Sequence, residues 1–310
     1  GDVNNTGAVA ASNITFNGGT LVNSGQVHAS GNITINASSI NNTAEVVAPI
    51  PGVPENTNIP YASSGAIKAD GVLAISGGSL NNTGTLSSGG VFNIAMGGGI
   101  SNNKRGFILS GGDITLTAAG VTNDGIVYGL NSAPSTITVA STGAFANGST
   151  GVLLAGNQLT ITATSFSNAG DNVNSGVGSL GNANLSTTGV WDAGSNPLKA
   201  NGLLTVNTNG IIVDVGKTWE AANVQWSGVL TNYGTTNLGI GNGTVRNEST
   251  GSVIRVDTPN TGALTGSYEY TATPPAGYTD VTFVGYTDVL NRAQFAAGSF
   301  TGGIDNIAGD

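Results

Sequence analysis

A seven-residue motif that returns about once every twenty residues sets what this chain can fold into. It reads apolar, any, Asn, any, Gly, any, apolar, and it occurs at residues 3–9, 21–27, 80–86 and 121–127. Looser copies begin at Ile40, Ile100, Phe145 and Phe166. In chain order the first residues of these copies lie 18, 19, 40, 20, 21, 24 and 21 positions apart. A period of this length is typical of stacked supersecondary units.

Within one repeat the apolar residues alternate with polar ones. Val27 and Ala29 form one set, Ile33 and Ile35 begin another, and Ser30-Gly31 separates them. Alternation of period two indicates strands with one buried face. Strands this short need pairing with neighbouring turns. The sequence therefore predicts an all-β fold, a right-handed parallel β-helix (solenoid), with each strand paired to its equivalent one turn later, about 4.8 Å away.

The same alternation predicts which side chains face the interior. Thr34, Thr115 and Thr160 are expected to be exposed, because they alternate with the apolar positions. The side chains expected to be buried are Val27, Ile33, Ile35, Ile114, Leu116, Leu159 and Ile161.

The repeated asparagines share the parity of the inward aliphatic residues. Because buried amides must find hydrogen-bond partners, we expect them to stack at a corner and to bond one another and the turn backbone. A row of ligand-binding groups is the functional alternative. The predicted column consists of Asn5, Asn23, Asn42, Asn82, Asn102, Asn123, Asn147 and Asn168.

Composition narrows the classes of function. A net charge of −9 with only 8% charged residues argues against a nucleic-acid partner, whose phosphates need clustered basic residues. The chain has no cysteine, which excludes disulfides, thiolate zinc sites and a catalytic thiol. The sequence contains no apolar run of about 18 residues, so no membrane-inserted helix is predicted. We predict no metal and no cofactor. His28 and the pair Lys104-Arg105 are interpreted as solvated surface residues.

The repeat also predicts the domain organisation. The β-helix is expected over residues 1–258, with regular turns over 1–170, irregular turns over 171–258 and an insertion loop near 44–64 that contains four prolines. Proline cannot join a strand ladder, so this loop leaves the coil, and loops of this kind often carry a binding face. Residues 259–310 are predicted to be a β-rich, Tyr-rich appendage or cap. Residues 268–271 and 281–284 are expected to form a hairpin through 274–277.

Residues 21–35 and 108–116 resemble the repeat of filamentous haemagglutinin and related large exoproteins of two-partner secretion. The resemblance covers residues 1–170 well and continues loosely to about 256. It implies a non-enzymatic stalk or adhesin, extracellular or on the cell surface, that contacts a host or neighbouring cell through a glycan or a protein. The Asn-Pro-Asn motif of the family's secretion domain does not occur here. The resemblance therefore implies an interior stalk or a divergent relative.

Two other functions stay open. Residues 304–308 restart the motif and residues 1–5 open within it, so copies docked head to tail could continue one ladder as a filament or matrix. A polysaccharide-binding or polysaccharide-active β-helix is the minor alternative, but the carboxylates are scattered and no enzyme is predicted.

Three further patterns supply candidate surface sites. Trp191, Trp219 and Trp226 could stack on sugars or fill a widened core. Asn41 and Asn81 lie in Asn-x-Thr sequons, are expected to be exposed and could carry glycans. A rank of outward threonines could order water as ice-binding faces do, although the ordinary β-propensity of threonine accounts for it better; its members are Thr15, Thr34, Thr115, Thr138, Thr160 and Thr205.

Overall fold

A computed structural model describes residues 1–44, 65–129, 135–170 and 175–247, and six later strand segments whose bounds are given below. Every regular element in these ranges is a β-strand, and the strands pair in parallel as a β-solenoid. The chain divides into two compact units, residues 1–180 and 181–310. The all-β parallel solenoid predicted from the motif is therefore confirmed.

The first unit contains twenty short strands. Their bounds are β1 (Val3–Asn5), β2 (Ala8–Ala11), β3 (Ile14–Asn23), β4 (Gln26–Ala29), β5 (Ile33–Asn42), β6 (Ala66–Ala69), β7 (Leu73–Asn82), β8 (Thr85–Ser88), β9 (Phe92–Met96), β10 (Gly99–Asn102), β11 (Phe107–Ser110), β12 (Ile114–Ala118), β13 (Gly120–Asn123), β14 (Ile126–Gly129), β15 (Thr136–Ser141), β16 (Ala144–Asn147), β17 (Val152–Ala155), β18 (Gln158–Ala163), β19 (Ser165–Asn168) and β20 (Gly176–Ser179).

Two parallel sheets form the walls of this unit. Sheet B contains the four-residue strands β2, β4, β6, β8, β11, β14, β17 and β20 in that order. The other strands of the unit form sheet A. In each turn the chain runs first through a sheet B strand, then through a corner, and then through sheet A. In the first turns a single ten-residue strand crosses sheet A, whereas β9 and β10 divide that path around Gly97-Gly98.

The core of the first unit follows the predicted register. Ile33, Ile114, Leu159 and Ile161 are fully buried, Ile35, Leu116 and Val27 nearly so, and Thr34 is exposed. Thr115 and Thr160 are half-buried rather than exposed. Both lie beside Thr138 in the outward rank, so neighbouring threonines on the adjacent turns cover part of each side chain.

The coil resumes in register after the proline-rich insertion. Val27 pairs with Ile67 and Ala29 with Ala69, as the return of the motif frame at residue 65 predicts. Residues 45–64, which carry the predicted loop, lie outside the described residues.

One glycine in sheet A is required by the path of the backbone. Gly77 has φ +145°, a conformation that side-chain-bearing residues rarely adopt. A Cβ atom at this position would also collide with the carbonyl oxygen of Ala37 on the preceding turn. The two halves of β7 can therefore join at this bend only through glycine.

The second unit is built from the same kind of parallel pairing. Its strands are β21 (Asn182–Thr187), β22 (Val190–Asp192), β23 (Leu198–Ala200), β24 (Leu204–Asn207), β25 (Gly210–Val213), β26 (Thr218–Asn232), β27 (Thr235–Asn247), β28 (Ile254–Arg255), β29 (Ser267–Tyr270), β30 (Val281–Phe283), β31 (Asp288–Asn291), β32 (Ala297–Phe300) and β33 (Gly303–Asn306).

The predicted hairpin in the Tyr-rich segment is wrong. β29 pairs in parallel with β27 and β31, and β30 pairs in parallel with β32, so the two supposed hairpin arms do not pair with each other. Val289 and Asn291 align with Ile304 and Asn306 of β33. The segment thus continues the stacking, and the proposed turn at 274–277 lies outside the described residues.

Candidate functional site

The eight predicted asparagines stack in one column along the corner between sheets A and B. From Asn5 to Asn168, the amide nitrogen of each side chain donates to the amide oxygen of the next, with N–O distances of 2.7–2.9 Å. All except Asn5 are buried. The column therefore links eight successive turns by side-chain bonds in addition to the strand ladders.

Each amide also bonds the backbone of the corner. The Asn82 side-chain nitrogen donates to the Phe107 carbonyl at 3.2 Å, and the Gly84 amide donates back to the Asn82 oxygen at 3.3 Å. Asn123 and Asn42 make the equivalent bond to the carbonyls of Val152 and Thr85. Asparagine fits this position because it has two donors and an acceptor on a short stem. These bonds hold the turns together, and they leave few amide donors or acceptors in the column with which a ligand could bond.

The three tryptophans are buried side by side in the second unit. Trp191 and Trp219 are each 1% exposed and Trp226 is 8% exposed. The ring centroids of Trp191 and Trp219 lie 5.5 Å apart, those of Trp219 and Trp226 lie 6.3 Å apart, and both pairs meet edge to face. Buried rings offer no face to a sugar, so the sugar-stacking hypothesis is wrong and the core-filling alternative holds.

Two of these tryptophans differ in how their indole N–H is satisfied. The Trp191 Nε1 donates to the Asn196 carbonyl at 2.9 Å, whereas Trp219 Nε1 is buried with no hydrogen-bond partner among the described residues. Since an unpaired buried donor is costly, we expect Trp191→Phe to lower the free energy of unfolding by about 1–2 kcal/mol more than Trp219→Phe. Urea denaturation of the two variants measures this difference. An equal loss of unfolding free energy in both variants, or a larger loss in Trp219→Phe, would contradict the hydrogen bond described for the Trp191 indole.

The two candidate glycosylation sites are neighbours on the outside of sheet A. Asn41 pairs with Asn81 in the register of β5 and β7; Asn81 is exposed and Asn41 half-buried. The Asn81 oxygen accepts a hydrogen bond from the Asn103 side chain. In each sequon the middle residue is a buried column asparagine, Asn42 or Asn82. Glycosylation of these two side chains stays a prediction.

A charged cluster that the sequence did not reveal lies on the outer face of sheet B. The Asp70 carboxylate contacts His28 Nε2 at 3.1 Å and the Lys68 ammonium at 3.0 Å, and all three side chains are largely exposed. His28 and Lys68 are register partners on β4 and β6. Aligning the copies at Val27 and Ile67 would have placed these two residues side by side. His28 faces solvent, as predicted, and also contacts Asp70.

The Lys68 ammonium, and to a lesser degree the His28 imidazole, hold the pKa of Asp70 below its usual 3.8. A lowered carboxyl pKa favours the ionised form in the folded state. Its stabilisation is therefore present above the unfolded-state pKa and is lost as the pH falls through the folded-state value, below 3.8. We expect Lys68→Gln to raise the pKa of Asp70 more than His28→Gln does. A carboxyl NMR titration tests this; an intact chain in which Asp70 titrates at or above 3.8 would contradict it.

Lys104 and Arg105 lie at a corner that leads into sheet B. They border a shallow surface depression that is also lined by Phe107, Asp124 and Thr150. Arg105 has φ +71°, the left-handed conformation that suits a tight corner. Lys104 is exposed and Arg105 half-buried, in keeping with the predicted surface turn.

Within the described ranges, no three His, Cys, Asp or Glu side chains converge in a way that could hold a metal ion. No helix in these ranges is long and apolar enough to cross a membrane. Neither family models, nor curated proteins, nor solved structures give a match to this chain. The relationship to filamentous haemagglutinin therefore stays a prediction from the residues of the motif.

Proposed function

We propose that this chain is a non-enzymatic stalk or adhesin segment of the filamentous haemagglutinin type, that it works outside the cell, and that its solenoid winds right-handed. The observation that supports the proposal best is the column of eight bonded asparagines, which ties turn to turn over the whole of the regular repeat. A coil fastened in this way resists bending and local opening, as a spacer must. Right-handed winding follows the strong preference of parallel crossover connections.

The outer surface is consistent with a structural role outside the cell. Threonine, serine, asparagine, alanine and glycine dominate its strands, and the chain contains no cysteine whose oxidation state would depend on the compartment. The head-to-tail filament and the polysaccharide-active β-helix stay predictions from the sequence.

Cells that produce the protein provide the test. An antibody raised against residues 65–129 should label intact cells, and protease added to intact cells should remove the label. Beads coated with the folded chain should adhere saturably to host or neighbouring cells, and beads coated with heat-unfolded chain should not. Labelling that needs permeabilised cells would contradict the extracellular location. Folded-chain beads that adhere no better than unfolded-chain beads would contradict the adhesin role and leave only a spacer.

A further inference from the structure

The outer face of sheet B changes in character along the first unit. Its outward positions hold alanine or a polar side chain in β2, β4, β6 and β8, and glycine in β20. In β11, β14 and β17 every outward position instead holds a large apolar or aromatic side chain. These six side chains, which we call the apolar patch, are Phe107, Leu109, Ile126, Tyr128, Val152 and Leu154. Phe107 is buried and the other five are half-buried, so the patch presents apolar surface to a partner.

A notch lies at the corner that leads into the apolar patch. The corner between β13 and β14 contains only residues 124–125, whereas the corners of the turns on either side contain residues 103–106 and 148–151. The strands before and after these corners stay in register, so the two longer corners project beyond the shorter one. Lys104 and Arg105 line the notch on one side and Thr150 on the other, with Asp124 between them.

The charges of the notch favour a negatively charged ligand. Lys104 is exposed, and its ammonium forms no ion pair within the described part of the chain. Arg105 is the one residue other than glycine that has a positive φ in the described ranges. A backbone conformation of this kind costs free energy, and it is concentrated where a loop is shaped for binding. Two cations stand here against the single carboxylate of Asp124.

We propose that the apolar patch and the notch together bind an extended peptide of another protein, with apolar side chains on the patch and a carboxylate in the notch. Alternate side chains of an extended peptide point to the same side, so apolar residues at every second position would rest on the patch. Contact with the patch would supply most of the affinity, and the cations of the notch would select an acidic end.

The dimensions of the surface fit a peptide rather than a folded partner. Three strands about 4.8 Å apart make it about 14 Å wide, and four strand residues plus two corner residues make it about 20 Å long. An extended peptide of about six residues covers that length. A folded partner would need roughly 800 Å² on each side, whereas this surface offers about 280 Å².

Fluorescence anisotropy with labelled peptides tests the proposal. The probe is fluorescein-labelled Val-Thr-Val-Thr-Val-Asp-Asp, whose three valines lie on one side of the extended peptide. One control peptide carries two asparagines in place of the aspartates, and a second carries two lysines. The intact chain should bind the probe at least tenfold more tightly than the asparagine peptide and should not bind the lysine peptide at millimolar concentration.

Substitutions in the chain separate the two parts of the surface. Lys104→Gln should weaken binding of the probe at least fivefold and leave binding of the asparagine peptide unchanged. Lys68→Gln is the matched control, because it removes another exposed lysine beside sheet B and should leave both affinities unchanged. Ile126→Thr and Leu154→Thr should each weaken both peptides at least threefold. Circular dichroism and thermal melting of each variant confirm that it is folded.

Four results would overturn the proposal. The intact chain could bind none of the peptides up to millimolar concentration, or it could bind the aspartate and lysine peptides equally. Lys68→Gln could weaken binding of the probe as much as Lys104→Gln does. Binding of trigalacturonate in the absence of peptide binding, lost in Lys104→Gln, would assign the notch to an acidic glycan instead. None of these results bears on the antibody labelling of intact cells.

Discussion

Replacing Asn82 by leucine is expected to lower the free energy of unfolding by about 3 kcal/mol. The substitution removes the acceptor for the Asn42 side-chain nitrogen and the donor for the Asn102 oxygen, at 2.9 and 2.8 Å in the intact column. The Phe107 carbonyl also loses a donor. All of these groups are buried, so water cannot replace the lost bonds without opening the coil. Urea denaturation followed by circular dichroism measures the change.

Asn93→Leu is the matched control for this prediction. Asn93 lies on the next turn but points outward and is exposed, so the same substitution should change stability by no more than about 0.5 kcal/mol. If Asn82→Leu were as mild as Asn93→Leu, the asparagine column would not be a bonded ladder.

The second large effect is expected at Phe145. This side chain is fully buried and its ring stacks on Phe166 of the next turn, with centroids 5.6 Å apart and planes 8° from parallel. Phe145→Ala should cost about 4 kcal/mol, because it removes a buried ring and leaves a cavity that the strand ladders prevent from closing.

The substitution Phe145→Leu separates the effect of losing buried side-chain volume from the effect of losing the ring stacking with Phe166. It keeps most of the buried volume, so the loss should be only about 1.5 kcal/mol. Chemical denaturation of both variants gives the comparison. A loss below about 1 kcal/mol for Phe145→Ala would mean that the core of the coil is loosely packed at this turn.

The regular turns could be predicted because the repeated alternation of apolar and polar residues determines the strands, the side chains that are buried and the register between turns. The parity that separates Ile33 from Thr34 also places Asn42 inside, and the repeat period places Ile67 beside Val27 despite the insertion. Each inference depends only on strand geometry and on the cost of burying an unpaired amide. The column therefore followed from the sequence down to its individual members.

Other features could not be derived from that signal. At 268–270 the motif's asparagine is replaced by Tyr270, so the sequence did not show its register with Asn247 and Asn291. The alternation in 268–271 and 281–284, with turn residues at 274–277 between them, indicated a hairpin instead. The burial of Trp191 depends on how wide the irregular turns are, which periodicity does not report. The contact of Asp70 with His28, by contrast, could have been derived, because it joins adjacent turns whose copies align at Val27 and Ile67.

Cysteine pairing across neighbouring turns tests the parallel register most directly, because the natural chain contains no cysteine. Thr138 and Thr160 are register partners on β15 and β18, and Thr162 is instead the partner of Ala140. Adjacent parallel strands lie about 4.8 Å apart, within the range of Cα distances that a disulfide spans, whereas diagonal positions lie beyond it. Under mild oxidation at low concentration, the chain carrying Thr138→Cys and Thr160→Cys should form the intramolecular disulfide, identified by peptide mapping. The chain carrying Thr138→Cys and Thr162→Cys should not, and preferential bonding in this second chain, or equal bonding in both, would contradict the parallel solenoid described here.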